Sequence, residues 1–201
     1  MSYLSPGCLG TLKTLSLVSL VVAVMSPSIA MAGDPTPAGD EQNQMYHGAL
    51  PWELPDDAEK MVVHSVTDGD TVRLTYPNDD WYYNTRIIGI QAPEMDGPWT
   101  DEECYGPEAK EFLTELLPVG TSVWAQQDIS DEDDNGRRLR HIFIVDDNGD
   151  AYLVSEILVL GGYAVAHSYP PDDLYDDVLA EAQDVARNDD EGLWDSCSRR
   201  N

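Results

Sequence analysis

The chain has 201 residues with 38 Asp or Glu against 11 Lys or Arg, a formal net charge of −27. That balance excludes a protein that coats DNA or RNA through bulk electrostatics, since phosphate contacts are made by cations. A hydrophobic fraction of 42% excludes wholesale disorder, and the length suits one domain of about 100–150 residues plus processing or linker segments.

Residues 1–32 hold one cation, Lys13, and no acid. Leu15 to Met25 is an apolar and small-residue run, followed by Pro27 and Ala30-Met31-Ala32. A short apolar run before an A-x-A site predicts a secretory signal peptide cut after Ala32, hence a secreted protein with no stable membrane association after cleavage. A spanning anchor needs about 20 apolar residues. Cys8 leaves with the signal, and Cys104 and Cys197 remain. In an exported protein an even number reads as a disulfide closing a loop of about 94 residues. The alternative is two unrelated buried thiols.

Residues 33–57 are rich in Pro, Gly, Asp and Gln without apolar periodicity and predict a flexible linker. The domain then occupies 58–201, its packed part running from about Ala58 to Trp194. Met61 to Val66 and Thr71 to Tyr76 are β-rich, and Asp68-Gly69 between them predicts a type I′ hairpin turn with glycine at positive φ. Trp81 to Ile90 reads as a third strand. Gly106-Pro107 opens a helix whose Ala109, Phe112, Leu113 and Leu116 share one face, and Pro118 ends it. Two strands follow at Val123–Gln127 and Leu139–Val145, then a short apolar helix at 153–160 closed by Gly161-Gly162. A last helix, about Asp173 to Asn188, turns Leu174, Val178, Ala182 and Val185 inward. Five strands and about three helices predict an α+β fold built on a five-stranded OB barrel.

Cations are scarce, so those set in apolar or turn segments need a reason. Arg86 lies in a strand, Arg137 follows Asp134-Asn135-Gly136, Glu94 comes just after the first arginine's strand, and Asp68 and Asp70 flank the hairpin glycine. Two guanidiniums, a carboxylate and acids able to hold a hard cation are the groups that phosphodiester hydrolysis uses. Asp131-Glu132-Asp133-Asp134-Asn135-Gly136 matches half of an EF-hand loop, but position 12 would be Ile142. It reads instead as the loop that supplies Arg137. His47, His64, His141 and His167 have no metal-ligand spacing.

The runs Asp68-Gly69-Asp70-Thr71-Val72, Arg86-Ile87-Ile88-Gly89-Ile90-Gln91-Ala92-Pro93-Glu94, Tyr105-Gly106-Pro107-Glu108-Ala109 and Asn135-Gly136-Arg137-Arg138-Leu139 stand in the order of the thermonuclease, or staphylococcal-nuclease-like, family, and Gly192-Leu193-Trp194 is similar to its terminal segment. The resemblance implies a monomeric OB-fold nuclease that uses Ca²⁺ to cleave DNA or RNA and leaves 3′-phosphates. It implies Arg86, Arg137 and Glu94 as catalytic residues. Asp70, Gln91 and the Ala92 carbonyl become metal ligands, and Tyr169 with His167 become nucleotide contacts. Three positions depart from the family pattern. Gln91 replaces a calcium-binding aspartate, which implies weaker calcium binding; Asp134 replaces a lysine, and His167 a tyrosine. These departures keep a rival reading open, a catalytically weak OB-fold module that binds calcium, an oligosaccharide or a protein.

Overall fold

The computed structural model describes residues 45–97 and 101–197. The expected signal peptide, the first part of the expected linker and Trp99 lie outside them.

The strands are β1 (Glu59–Asp68), β2 (Thr71–Thr75), β3 (Tyr82–Ile87), β4 (Ile90–Gln91), β5 (Ser122–Gln126), β6 (Arg138–Val145), β7 (Ala151–Leu153) and β8 (Val165–Ala166). The helices are α1 (Gly106–Leu116), α2 (Val154–Leu160), α3 (Asp176–Asn188) and α4 (Leu193–Ser196). The main sheet runs β3-β2-β1-β5-β6-β7, and parallel pairing of β3 with β6 closes its first five strands into a barrel. This is the predicted OB barrel. The long β1 serves both neighbours because its register shifts between Val63 and Ser65 and between Val66 and Asp68. Such irregularities bend a strand enough for one half to pair with β2 and the other with β5.

Alternation decides what fills the barrel. Val72 and Leu74 of β2, Met61 and Val63 of β1, Ile87 of β3 and Val123 and Ala125 of β5 are buried. Ala109 and Leu113 of α1 join them, as do Ile157 and Leu158 of α2. A smaller cluster of Phe143, Ala151 and Leu153 packs under Trp52, Trp124 and Tyr175.

The folded unit starts before the expected boundary at Ala58. Tyr46 and Ala49 are core residues, Tyr46 lies 4.4 Å from the Tyr152 ring, and Trp52 donates from its backbone N–H to Ala151 O at 2.7 Å. Its indole Nε1–H also donates to Glu156 Oε2 at 2.7 Å. Residues 45–57 are thus a packed strap. Isolated aromatic anchors in an extended segment produce no periodicity, so composition alone resembles a linker.

Three further expectations change. The third strand breaks after Ile87 at Gly89, whose φ of 83° turns the chain into β4. β7 and β8, each two or three residues, were too short for an alternation signal, as was α4. The helix expected from Asp173 is α3, which begins at Asp176 and buries Leu179, Ala182 and Ala186, while Leu174 and Val185 are 54% and 45% exposed. Its phase follows Leu179, which fills the space above Gly89, and alanines small enough for close approach to α2.

Cys104 and Cys197 form a disulfide with Cα atoms 5.8 Å apart. It ties the segment before α1 to the end of α4. Among the described residues no helix is long and apolar enough to cross a membrane.

Candidate active site

The β1–β2 turn, the β3–β4 segment and the loop before β6 meet at one mouth of the barrel. They enclose a cavity of about 230 Å³ lined by Asp70, Arg86, Gln91, Glu94, Arg137 and Tyr169 among others. Residues scattered over a hundred positions of sequence share this cavity because β3 pairs antiparallel with β2, placing Arg86 opposite Thr71, and parallel with β6, placing Arg86 opposite Leu139.

Gly69 makes the approach possible in a way the turn signal did not foresee. It is not among the positive-φ residues. A Cβ there would stand 2.7 Å from Ala92 Cβ and 2.9 Å from Ala109 Cβ, so glycine is needed for contact between the turn, the β4 segment and α1.

Arg86 is 6% exposed and forms an ion pair with Asp70 Oδ1. Its Nη1 donates to Asp70 O at 3.2 Å, and its Nη2 donates to Ile90 O and Gln91 Oε1, each at 2.9 Å. Asp70 Oδ2 accepts the Ala92 N–H at 2.8 Å, and Oδ1 accepts the Thr71 hydroxyl at 3.2 Å. Burial pushes the Asp70 carboxyl up to about 6 and Asp68 adds to the shift, against the pull of Arg86 and the Ala92 N–H. Asp68 accepts the Asp70 N–H at 3.2 Å, shaping the turn.

Arg137 is held by a residue that sequence reasoning did not single out. Asp133 Oδ1 accepts the N–H groups of Asn135 and Arg137, both at 2.9 Å, and its Oδ2 accepts Arg137 Nε at 2.7 Å. Burial opposes ionisation of Asp133, but these hydrogen bonds outweigh it and hold its pKa below the ordinary value. The Asp-x-Asn-Gly pattern is the available signal: it is an aspartate turn that aims an arginine, and not half of an EF-hand loop. Arg137 Nη1 reaches Thr71 Oγ1 at 3.5 Å. Thr71 and Asp70 therefore link the two guanidiniums.

Glu94 sits exposed at the cavity rim. Its N–H donates to Glu103 Oε2 at 3.0 Å and its carbonyl accepts the Glu103 N–H at 2.9 Å, which fastens it to the start of α1. Tyr169 lines the cavity, whereas His167 stands beside it, with ring centroids 4.3 Å apart and its N–H on Gly89 O.

Gln91 decides what the site offers a cation. Its Oε1 accepts from Arg86 Nη2 and from Tyr169 Oη at 3.0 Å, and its Nε2 donates to Ala92 O at 3.0 Å and Glu94 Oε1 at 3.3 Å. Arg86 can only donate, while a carbonyl and a carboxylate can only accept, so the amide has one satisfactory orientation. Calcium needs six to eight oxygen ligands. Here the Gln91 oxygen is turned to two donors, the Ala92 carbonyl takes the Gln91 amide, and Asp70 is engaged with Arg86. The three expected ligands bond to one another or to Arg86, so a cation would have to displace the Gln91 amide to gather them. Among the described residues no group of three or more His, Cys, Asp or Glu could hold a metal.

Residues 84–196 match the family described as staphylococcal nuclease homologue. The thermonuclease of Staphylococcus intermedius is 30% identical over 137 residues, which cover 68% of this chain and 77% of that protein. The thermonuclease of Staphylococcus hyicus is 30% identical over 129 residues, 64% of this chain and 72% of its own.

Proposed function

Since the chain belongs to the staphylococcal nuclease family, we propose that it is a hydrolase of DNA or RNA phosphodiesters acting at the Arg86–Arg137 cavity. One observation carries this reading: two guanidiniums linked through Thr71 and Asp70 line a cavity with a rim carboxylate, Glu94. Glu94 orients a water and takes its proton as the water oxygen bonds to phosphorus. The 5′-oxygen leaves and takes a proton from solvent, so the products are a 3′-phosphate and a 5′-hydroxyl. Arg86, fixed and desolvated, and Arg137, aimed by Asp133, stabilise the negative charge that grows on the phosphoryl oxygens. Product ends test this directly. Fragments carrying 3′-phosphate are expected from denatured DNA, and fragments carrying 5′-phosphate would contradict the proposed bond cleavage.

Of the three implied calcium ligands, Asp70, Gln91 and the Ala92 carbonyl, only Asp70 carries a carboxylate. Replacing Gln91 by Asp supplies a second carboxylate and removes the amide donors from Ala92 O and Glu94. The Gln91→Asp variant is expected to bind Ca²⁺ at least tenfold more tightly than the wild type by calorimetric titration, and to show a larger thermal shift between Ca²⁺ and EGTA. Equal binding by the two proteins would show that Gln91 is not what limits the site. The same locked Gln91 network favours the rival reading, a binding module with feeble turnover.

Export belongs to the proposal too. The apolar run before Ala30-Met31-Ala32 supports it, and the Cys104–Cys197 disulfide suits an oxidising compartment. The acidic surface suits a saline exterior, because at molar salt the Debye length is about 3 Å and repulsion between protein and polynucleotide is screened.

A further inference from the structure

The cavity accounts for the reacting phosphate but leaves open how so acidic a protein holds the rest of a polynucleotide. Phosphate contacts are a poor answer, since they need cations and weaken steeply with salt. Stacking of bases on aromatic rings needs neither, and each stacked base contributes about 1–3 kcal/mol.

Such rings lie at the start of β3, the strand that carries Arg86. In the β2–β3 ladder Thr71 pairs with Arg86, Arg73 with Asn84 and Thr75 with Tyr82. With side chains alternating, Arg86, Asn84 and Tyr82 share a face with Thr71 and Arg73. Tyr82 is therefore about 13 Å along the strand from Arg86, within the roughly 4–16 nucleotides that one OB fold covers. Trp81 is 69% exposed and Tyr82 39% exposed. Their rings are within 13° of parallel with centroids 6.3 Å apart.

Neighbours hold this pair in place. The Arg73 guanidinium lies 5.0 Å over the Tyr82 ring and its Nε donates to Asn84 Oδ1 at 3.2 Å. The His64 ring, from β1, stands 4.8 Å from the same ring. Asp79 accepts the Trp81 N–H at 3.0 Å through its carboxylate and the Thr75 hydroxyl at 2.9 Å through its carbonyl, which pins the turn. Arg73 bonds a neutral amide and lies over an aromatic face, with no ion pair to a carboxylate among the described residues, so its charge is open to a phosphate of the bound strand.

We propose that Trp81 and Tyr82, backed by Arg73 and His64, form a base-stacking subsite for the single strand whose phosphodiester occupies the Arg86–Arg137 cavity; the assignment rests on the nuclease reading. The occupant is the substrate strand itself because Tyr82 shares its strand face with Arg86, which lines the cavity, and the Arg73 guanidinium between them complements a phosphate.

The test compares a 12-residue oligothymidylate with a nitrophenyl ester of thymidine phosphate, which is too short to reach Tyr82. In Trp81→Ala, and likewise in Tyr82→Ala, the ratio of kcat/KM for the long substrate to that for the short one is expected to fall about tenfold. Tryptophan fluorescence of the wild type is expected to be quenched by the oligothymidylate, with most of the quenching lost in Trp81→Ala. An unchanged ratio, or quenching equal in wild type and variant, would overturn the subsite. So would Trp81→Ala dissociating a wild-type dimer without altering the ratio, since the rings would then serve self-association. If the wild type cleaves neither substrate yet shows Trp81-dependent quenching, the subsite stands and the nuclease reading falls.

Discussion

Arg137→Ala is expected to lower kcat/KM for denatured DNA by about 10²–10³-fold, or about 3–4 kcal/mol of transition-state stabilisation, with little change in thermal stability. The asymmetry follows from its surroundings. The Arg137 side chain is a third exposed, and Asp133 retains the N–H groups of Asn135 and Arg137 after truncation, so the loop keeps its shape. Partly exposed ion pairs of this kind contribute at most about 1 kcal/mol to folding. Arg86→Ala should lose at least as much activity and should also unfold more easily. It would leave the Asp70 carboxyl buried without its cation, a change that costs about 3–5 kcal/mol. Steady-state kinetics paired with thermal unfolding of both variants checks the contrast. Full turnover in Arg137→Ala would remove that residue from the chemistry, and two variants of equal stability would contradict the structural role given to Arg86.

Loss of the disulfide should have the largest effect on stability. The bridge spans 93 positions, and closing a loop of that length stabilises by about 4–5 kcal/mol through the entropy it removes from the unfolded chain. Cys197→Ala, or reduction of the wild type, is therefore expected to lower the unfolding free energy by most of that amount in urea titration. The effect should extend to the site. Cys104 follows Glu103, whose backbone and side chain fasten Glu94, so loosening this segment frees the rim carboxylate. Coincident unfolding curves for oxidised and reduced protein would rule out a stabilising role for the bridge.

The features legible in the sequence are those carried by local chemistry. Alternation in Thr71–Thr75 marked a half-buried strand, Pro107 opened α1, and Asn135-Gly136 marked the turn before Arg137, so barrel, helices and the positions of the catalytic candidates could be placed. Long-range packing decided the rest. The Gln91 amide takes its orientation from Arg86 and from Tyr169, which is 78 positions away, and no local pattern encodes that pairing. Gly69 carries a turn signature, but its need for glycine comes from Ala92 and Ala109. Val185 and Ala186 of α3 differ in burial because α2 packs on one side only, and hydrophobicity favoured the larger side chain where space favoured the smaller. Tyr46 and Trp52 are single anchors in an aperiodic stretch, invisible to any window that counts periods.

The acidity that excludes bulk binding to nucleic acid leaves room for a local site. Two arginines in one cavity, one desolvated and one aimed by an aspartate turn, present guanidinium donors at short range to a single phosphate, whatever the net charge of −27 does at long range. Cleavage of an end-labelled single-stranded oligonucleotide by the purified chain, with Arg137→Ala as the comparison and NaCl varied from dilute to molar, tests this claim most directly. The account predicts labelled fragments from the wild type, at rates that hold or rise with salt, and almost none from the variant. An oligonucleotide that the wild type binds but leaves uncut at every salt and Ca²⁺ concentration would contradict it.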